Sequence, residues 1–405
     1  MVSRATRPRR GPVYPQEADT VQRRHFEVEH EAFRDLCRSF FVKECAPRVE
    51  EWERAGQVDR DVWRRAGAAG MLLWEAPEEF GGQGVRDYRY SQVLAEEIYA
   101  TGSAGLGFGL QNDVMPPYLI DLTNQDQKAR WLPGSVTGDT IWGLAISEPG
   151  AGSDVASIRA TALRDGDVYV VNGTKAFITN GLLLDKAVVA VKTDPAQRHK
   201  GVSLLVVEDG MPGFERGRHL DKVGQRSQDT AELFFRDVRV PVTNLLGEEG
   251  RGFGYLMRNL PQERLGAGVA ATGVMWRALG LTVDYVRSRQ AFGQTLGGFQ
   301  NTRFELAEVK TLCEVAQAYV DKAVVEHLAG DLSPEDAAGL KQWTTDTQNQ
   351  VVDRCLQLFG GYGYMNEYEI ARLWRDSRVQ RIYAGSNEVM KEIVGRALRL
   401  EGPAA

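Results

Sequence analysis

The spacing of apolar residues changes twice along this chain, and that change limits its fold more than any other feature. Phe33, Leu36 and Phe40 recur at helical spacing in the first third. From about residue 141, short β-rich runs such as "VYVVNG" and "VSLLVVE" replace that pattern, and helical spacing returns after about residue 247. The sequence therefore predicts an α+β protein in which a β region separates two helical regions.

Four segments follow from these changes. Residues 1–24 are predicted to be a disordered basic tail, because the first sixteen residues hold four arginines, three prolines and no acid. A transit peptide has a similar composition, but the prolines oppose the amphipathic helix that it needs. Residues 25–140 are predicted to be a helical domain, residues 141–247 a β domain and residues 248–405 a helical bundle.

The β region carries turn signals rather than crossover helices. Asp165-Gly166, Asn172-Gly173 and Asp209-Gly210 are dipeptides typical of hairpin turns. Short strands at such spacing predict a small antiparallel sheet or barrel. The glycine-rich stretches "GLGFG" and "GRGFG" lack the last glycine of a dinucleotide fingerprint, so no Rossmann site is predicted.

Composition excludes several functions. With 49 basic and 55 acidic residues the net charge is only -6, so nucleic-acid binding is not expected. No apolar run is long enough to suggest a membrane span, and the histidines show no metal-ligand spacing. The four cysteines, Cys37, Cys45, Cys313 and Cys355, form no C-x-x-C pair, which is typical of reduced thiols in a cytoplasmic protein.

Two segments of the β region suggest a binding surface. "LAISEPGAGSD" runs from a strand into a turn that presents Ser147, Ser153 and backbone N–H groups. "KAFITNG" is predicted to start another strand, which would place Phe177 and Thr179 on one face. A hydroxyl and an aromatic ring on one face suit a planar heterocycle, although each segment alone is also typical of an ordinary turn or core strand.

Three further segments complete the pattern: "RSRQAFGQTLGGFQ", "QLFGGYGY" and "YAGSNE". In this order, over about residues 25–400, the five segments resemble the acyl-CoA dehydrogenase family. The resemblance implies an N-terminal helical domain, a middle β-barrel and a C-terminal four-helix bundle, with FAD between barrel and bundle. It also implies an acyl-CoA substrate, electron transfer to an electron-transferring flavoprotein and assembly as a homotetramer.

The match also implies particular contacts with the cofactor. Ser147 would touch the flavin pyrimidine edge, Phe177 would lie over the ring and Thr179 would bond near N5. Arg289 would reach the FAD of a neighbouring subunit, where its planar fork suits a pyrophosphate. The residues that the match places at FAD are Ile146, Ser147, Ser153, Phe177, Ile178, Thr179, Arg289, Phe292, Gln300, Gln357, Gly360, Gly361, Ser386 and Glu388.

The resemblance leaves one role open, because position 384, where many relatives carry the catalytic glutamate, is an alanine. The Ala384 N–H remains a candidate donor to the enolate oxygen. A branch that includes long-chain-type enzymes carries its base on a bundle helix, before Arg-Leu, and "NLPQERL" places Glu263 there. Alternatively, Pro261 could begin a helix, and Glu263 in its first turn would then only complement the helix dipole.

Substrate contacts are implied for Arg264, Gly385 and Ser153, with Ser153 facing the pantetheine arm. The small residues of 101–114 could leave room for a long acyl chain or could simply allow close helix packing. Three alternatives share the same motifs: an acyl-CoA oxidase, an enzyme for acyl-carrier-protein thioesters, and a flavin-binding homologue without a base. Glu263 argues against the last of these.

Overall fold

A computed structural model describes residues 23–400. The first described region is helical, as predicted, and it also contains long connecting turns. Gly56 ends the second helix in the left-handed conformation, which glycine adopts readily. The five α-helices of this region are α1 Val28–Phe40, α2 Val49–Ala55, α3 Arg60–Ala68, α4 Tyr88–Ala100 and α5 Gln125–Thr137.

Two π-helical turns, Leu110–Val114 and Pro117–Asp121, connect α4 to α5. Pro116 and Pro117 lie where the two turns meet, and a proline cannot supply the N–H of a regular helix. Single π turns of this kind occur frequently at functional sites. These turns face the first half of the long bundle helix described below.

The middle region is a mixed sheet whose path runs β6-β7-β3-β2-β4-β5-β8, with β1 parallel to β4. Most neighbouring strands are antiparallel, as the turn signals predicted. The strands are β1 Trp142–Ala145, β2 Thr161–Asp165, β3 Val168–Thr179, β4 Lys186–Lys192, β5 Val202–Glu208, β6 Phe214–His219, β7 Thr230–Pro241 and β8 Leu245–Leu246.

The three predicted hairpin turns had different outcomes. Asp165-Gly166 does join β2 to β3 as an antiparallel hairpin. Asn172-Gly173 does not form a turn; it lies inside β3, where Gly173 has φ 146° and a Cβ would lie 2.6 Å from that of Ala160. Asp209-Gly210 forms a turn after β5, but β5 and β6 lie at different places in the sheet and do not pair. Close packing, rather than chain reversal, explains the glycine at 173.

The last region is a helical bundle, as predicted. Helices α6, α7, α8 and α10 pack together, and α9 contacts α6 and α8. Two very short strands, β9 Gln290–Ala291 and β10 Gln294–Thr295, form a small ribbon after α6. The helices are α6 Gly252–Ser288, α7 Gln300–Ala329, α8 Pro334–Leu358, α9 Glu369–Ser377 and α10 Asn387–Ala397.

Pro261 lies inside α6 and does not begin it, because this helix starts at Gly252. The alternative interpretation of Glu263, an acid in the first helical turn, is therefore wrong. A proline within a helix removes one backbone hydrogen bond and costs about 3 kcal/mol or more. The extensive packing of α6 against α4, α7 and α8 offsets that cost.

The predicted basic tail lies mostly outside the described residues. Arg23, which the sequence assigned to it, is held in place: it bonds Glu96 of α4 at 2.7 Å and Asp321 of α7 at 2.7 Å. These bonds tie the start of the described chain to both helical regions. No helix among residues 23–400 is long and apolar enough to cross a membrane.

Candidate active site

The end of β3 and the turn after β1 meet through their backbones. The Ala176 N–H donates to the Ser147 carbonyl at 2.9 Å. The next residue, Phe177, has φ 60° and lies at a β-bulge opposite β7, and its ring is 71% exposed. Contrary to the prediction, "KAFITNG" ends a strand instead of starting one, but Phe177 and Thr179 do face outward while Ile178 is buried in the sheet core.

A buried ion pair fixes this turn. The Lys175 ammonium lies 2.8 Å from the Glu148 carboxylate and also donates to the Ile146 carbonyl at 2.9 Å. The same carboxylate accepts from the backbone N–H groups of Arg159 and Ala160. Both charges are almost fully buried, so removing one would leave the other unpaired. Neither was predicted as a site residue, although both lie within the quoted segments.

The turn that contains Ala384 has an unusual backbone. Ala384 has φ 53° and Gly385 has φ 88°, and only glycine adopts this region without steric cost. Ser386 then caps α10 by accepting from the Val389 N–H. Strained residues of this kind concentrate at functional sites, where the surrounding structure holds them.

Lys341 of α8 fixes the same turn through two hydrogen bonds. Its ammonium is buried and donates to the Gly385 carbonyl at 2.8 Å and to Asn387 Oδ1 at 2.8 Å. Burial lowers the pKa of Lys341 to about 8, and the nearby Arg264 charge contributes to this effect. Arg264 of α6 therefore lies close to the lysine that fixes the 384–386 turn.

Glu263 lies next to Arg264, with its carboxyl in a poorly solvated position. Burial raises the pKa of Glu263 to about 7, while the Arg264 charge and the Tyr118 hydroxyl lower it only in part. The Tyr118 hydroxyl lies beside this carboxyl without regular hydrogen-bond geometry. Tyr118 also packs in one apolar cluster with Ile146, so α6, the second π turn and the end of β1 are neighbours.

A groove of about 710 Å³ lies at the far end of the bundle. It brings together four predicted cofactor residues: Arg289, Gln357, Gly360 and Gly361. A Cβ added at either glycine would meet no atom within 4 Å, so a ligand can approach the backbone there. Phe292 and Gln300 are exposed nearby in the chain but do not line this groove, and Phe292 is 97% exposed.

Two predicted residues, Ser153 and Glu388, are exposed. Within residues 23–400, neither of them is hydrogen-bonded to Glu263. Conversely, Tyr118 and Lys341 were missed. The only signals for them were a proline-broken segment and the single lysine of α8. Neither signal identifies a site, because both contacts join segments that are far apart in sequence.

Family models match almost the whole described chain. They are the N-terminal domain of acyl-CoA dehydrogenase over residues 27–139, the middle domain over 143–238 and the C-terminal domain over 250–399. The chain belongs to the acyl-CoA dehydrogenase family, and it is an FAD-dependent oxidoreductase of the kind that dehydrogenates acyl-CoA.

Comparisons with individual proteins support this assignment. The chain is 43% identical over 378 residues to the mitochondrial long-chain specific acyl-CoA dehydrogenase of Sus scrofa, covering 93% of this chain and 88% of the relative. An acyl-CoA dehydrogenase structure from Geobacillus kaustophilus is 47% identical with a TM-score of 0.91, covering 94% of this chain and 100% of that one.

FAD is the cofactor of the family. An acyl-CoA dehydrogenase of Bacillus anthracis was solved in complex with FAD; it is 30% identical with a TM-score of 0.86, covering 94% of this chain and 69% of that one. The residues present here fit such a group, because Phe177 offers an exposed ring beside Ser147 and the distant groove offers an arginine and two open glycines.

Proposed function

We propose that this enzyme is a long-chain-type acyl-CoA dehydrogenase in which Glu263 removes the α-proton of the acyl thioester. The observation that carries this proposal is the poorly solvated Glu263 carboxyl on α6, with alanine at position 384. A base is most effective when its pKa lies near the working pH, and a value of about 7 meets that condition. The identity to the long-chain relative supports the same branch.

The surroundings of Glu263 act on the ionisation of its carboxyl in opposite directions. Arg264 is 5% exposed, and its Nε has no hydrogen-bond partner among residues 23–400. Its positive charge stabilises the Glu263 carboxylate, while the apolar surroundings favour the neutral acid. The carboxyl therefore exchanges a proton near neutral pH without a large change in free energy.

The turn at 384–386 would stabilise the negative charge that develops on the enolate oxygen. Its left-handed backbone, held by Lys341, orients the peptide groups of Ala384 and Gly385. An N–H fixed in advance stabilises a developing negative charge without reorganising at the moment of reaction. The chemistry that FAD supplies when bound is acceptance of the β-hydrogen as hydride at N5.

The finer assignments form part of the same proposal. The electron acceptor is an electron-transferring flavoprotein, and the enzyme is a homotetramer. Three exposed apolar residues that are close in sequence to the groove-lining residues, Phe292, Phe304 and Tyr364, support coverage by a neighbouring subunit. A cytoplasmic location is proposed because the four cysteines are all free and buried.

An anaerobic bleaching experiment tests the activity. The purified holoenzyme is mixed with acyl-CoA thioesters of increasing chain length and with matching acyl-carrier-protein thioesters, and loss of flavin absorbance is followed. We expect long-chain acyl-CoA to bleach the flavin fastest. Faster bleaching by the carrier-protein series would show that the carrier is wrong, and rapid peroxide production in air would favour an oxidase.

A pair of arginine variants tests the predicted sharing of FAD between subunits. Arg289 lines the groove with Gly360, whereas Arg287, two residues earlier, is exposed and does not line it. Arg289→Ala should reduce flavin retention and tetramer stability together, because a shared cofactor links the two. Arg287→Ala should change neither. Equal flavin content and sedimentation for both variants would contradict a shared site.

A further inference from the structure

Polar side chains from two other elements meet at Gly266, on the face of α6 that carries Glu263. Residues three apart on a helix share a face, so Gly266 lies about 4.5 Å along the helix axis beyond Glu263. A Cβ at Gly266 would lie 3.2 Å from the Tyr88 hydroxyl and 3.7 Å from Asp113 Oδ2. Tyr88 of α4 and Asp113 of the first π turn therefore border the same stretch of helix as the proposed base.

This polar cluster is not sealed in the core. Glu263, Gly266 and Asp113 each keep part of their surface exposed, whereas Leu265 between them is buried. The Gln262 side chain donates to the Asp113 carbonyl at 2.6 Å and fixes the π turn against α6. An acyl chain that starts at Glu263 and follows α6 would pass the cluster.

Two atoms of the cluster lack a well-formed hydrogen bond. Ser91 of α4 is only 2% exposed and faces the Asp113 carboxyl. Ser91 Oγ and Asp113 Oδ1 are both buried and lie close together without regular hydrogen-bond geometry, and neither has another partner among residues 23–400. A buried polar atom without a partner costs about 1 to 3 kcal/mol. A ligand that supplies the missing bonds would explain why such atoms are kept here.

The charge state of the cluster limits which chemical groups can bind to it. Burial raises the pKa of Asp113 to about 7, and Ser91 lowers it only in part. Burial also raises the pKa of the neighbouring Glu75 to about 7, with Arg86 opposing this in part. Both carboxyls are thus largely neutral below pH 7, which favours a neutral ligand group over a cation. A group that both donates and accepts would match Ser91 and Asp113.

We infer that Asp113, Ser91 and Tyr88 recognise a hydroxyl group on the acyl chain, a short distance beyond the reacting carbons. Among acyl thioesters of equal chain length, those that carry the hydroxyl group are then better substrates than the unsubstituted ones. This inference rests on the proposed function, because it places the chain along α6 from Glu263. A site built to bond a hydroxyl rejects the analogue that lacks it.

The test compares matched thioesters on the holoenzyme: hexanoyl-CoA, 5-hydroxyhexanoyl-CoA, 6-hydroxyhexanoyl-CoA and 6-aminohexanoyl-CoA. We expect at least one hydroxylated substrate to exceed hexanoyl-CoA by about tenfold or more in kcat/KM for flavin bleaching. Asp113→Leu should abolish that preference while hexanoyl-CoA still bleaches the flavin. Asp121→Leu, which replaces an exposed acid on the next π turn, should leave the preference unchanged.

Gly266→Ala gives an independent measurement if Asp113→Leu does not fold. Its added methyl group would contact the Tyr88 hydroxyl, so the preference for the hydroxylated substrate should fall. A wild-type preference for hexanoyl-CoA or the amine, or an unchanged preference in both variants, would overturn the inference and leave Glu263 as the base. Bleaching by long-chain acyl-CoA but by none of these four thioesters would also overturn the inference alone. Absence of bleaching by the long-chain substrate as well would refute the proposed function, and the inference with it.

Discussion

Two glutamates with poorly solvated carboxyls, on neighbouring helices, have opposite electrostatic surroundings. Glu96 of α4 bonds Arg23 at 2.7 Å and Arg34 at 2.8 Å. Burial alone would raise its pKa, but these two arginines outweigh burial and lower the pKa to about 2. For Glu263 burial dominates and the pKa rises to about 7, because Arg264 compensates only in part. Loss of solvation thus gives a raised or a lowered pKa, depending on how many cations accompany the acid.

The difference separates an acid that pairs with two arginines from the proposed catalytic base. Glu96 is ionised at every ordinary pH and joins the start of the described chain to α1 and α4. Glu263 can gain or lose a proton near neutral pH, which a general base must do. A strongly perturbed acid in a cleft is a candidate for function, whereas a fully paired one is better explained by structure. Four predictions test this distinction.

The largest effect is expected for the proposed catalytic base. Glu263→Gln should keep bound FAD and bind acyl-CoA, yet slow anaerobic flavin bleaching by about 10²- to 10⁴-fold, because the base is lost. Adding Ala384→Glu should restore part of the rate with a changed chain-length preference, since a carboxylate then reaches the α-carbon from the other turn. Glu248→Gln, an exposed control, should bleach normally. A wild-type rate in Glu263→Gln would place the base elsewhere.

The acid that pairs with two arginines should affect stability instead. Glu96→Gln should lower the free energy of unfolding by about 3 to 5 kcal/mol, because two largely buried arginines lose their shared partner. Urea unfolding curves of the holoenzyme measure this change. Glu31→Gln removes only an exposed partner of Arg34 and should cost less than about 1 kcal/mol. Similar curves for the two variants would show that burial does not distinguish these pairs.

The rate of flavin bleaching should depend on pH through Glu263. Only the ionised carboxylate removes a proton, so the rate should fall about tenfold per pH unit below about pH 7 and level off above it. Arg264→Met removes a charge that lowers this pKa, so the midpoint should move to higher pH. A rate that is constant between pH 5 and 8 would contradict the assigned pKa.

The smallest effect is the pH dependence of stability. The raised pKa of Glu263 gives stability that is fully present below its unfolded value and is lost as pH rises through about 7. The lowered pKa of Glu96 acts oppositely: its stability is present above the unfolded value and is lost as pH falls toward about 2. When pH rises from 6 to 8, the free energy of unfolding of Glu263→Gln should therefore decrease by about 1 kcal/mol less than that of the wild type. Equal losses would mean that Glu263 does not titrate in this range.

Much of the fold could be predicted from the sequence, because apolar periodicity and turn residues act locally. The three regions, the hairpin at Asp165-Gly166 and the stop at Gly56 depend only on neighbouring residues. Two of the local signals that were misleading have a clear physical explanation. Gly173 is required by close approach inside β3, and Pro261 lies within a helix whose tertiary packing offsets its cost.

The sequence by itself determined the family, through five segments in a fixed order. It also showed that position 384 is an alanine without a carboxylate, and it identified Glu263 as the candidate base. Only the tertiary structure decided what surrounds them. Tyr118 beside Glu263, Lys341 beneath Gly385 and the polar cluster at Gly266 all join segments that are distant in sequence. Burial and charge proximity set a pKa, and both depend on packing between elements, which no local pattern of residues contains.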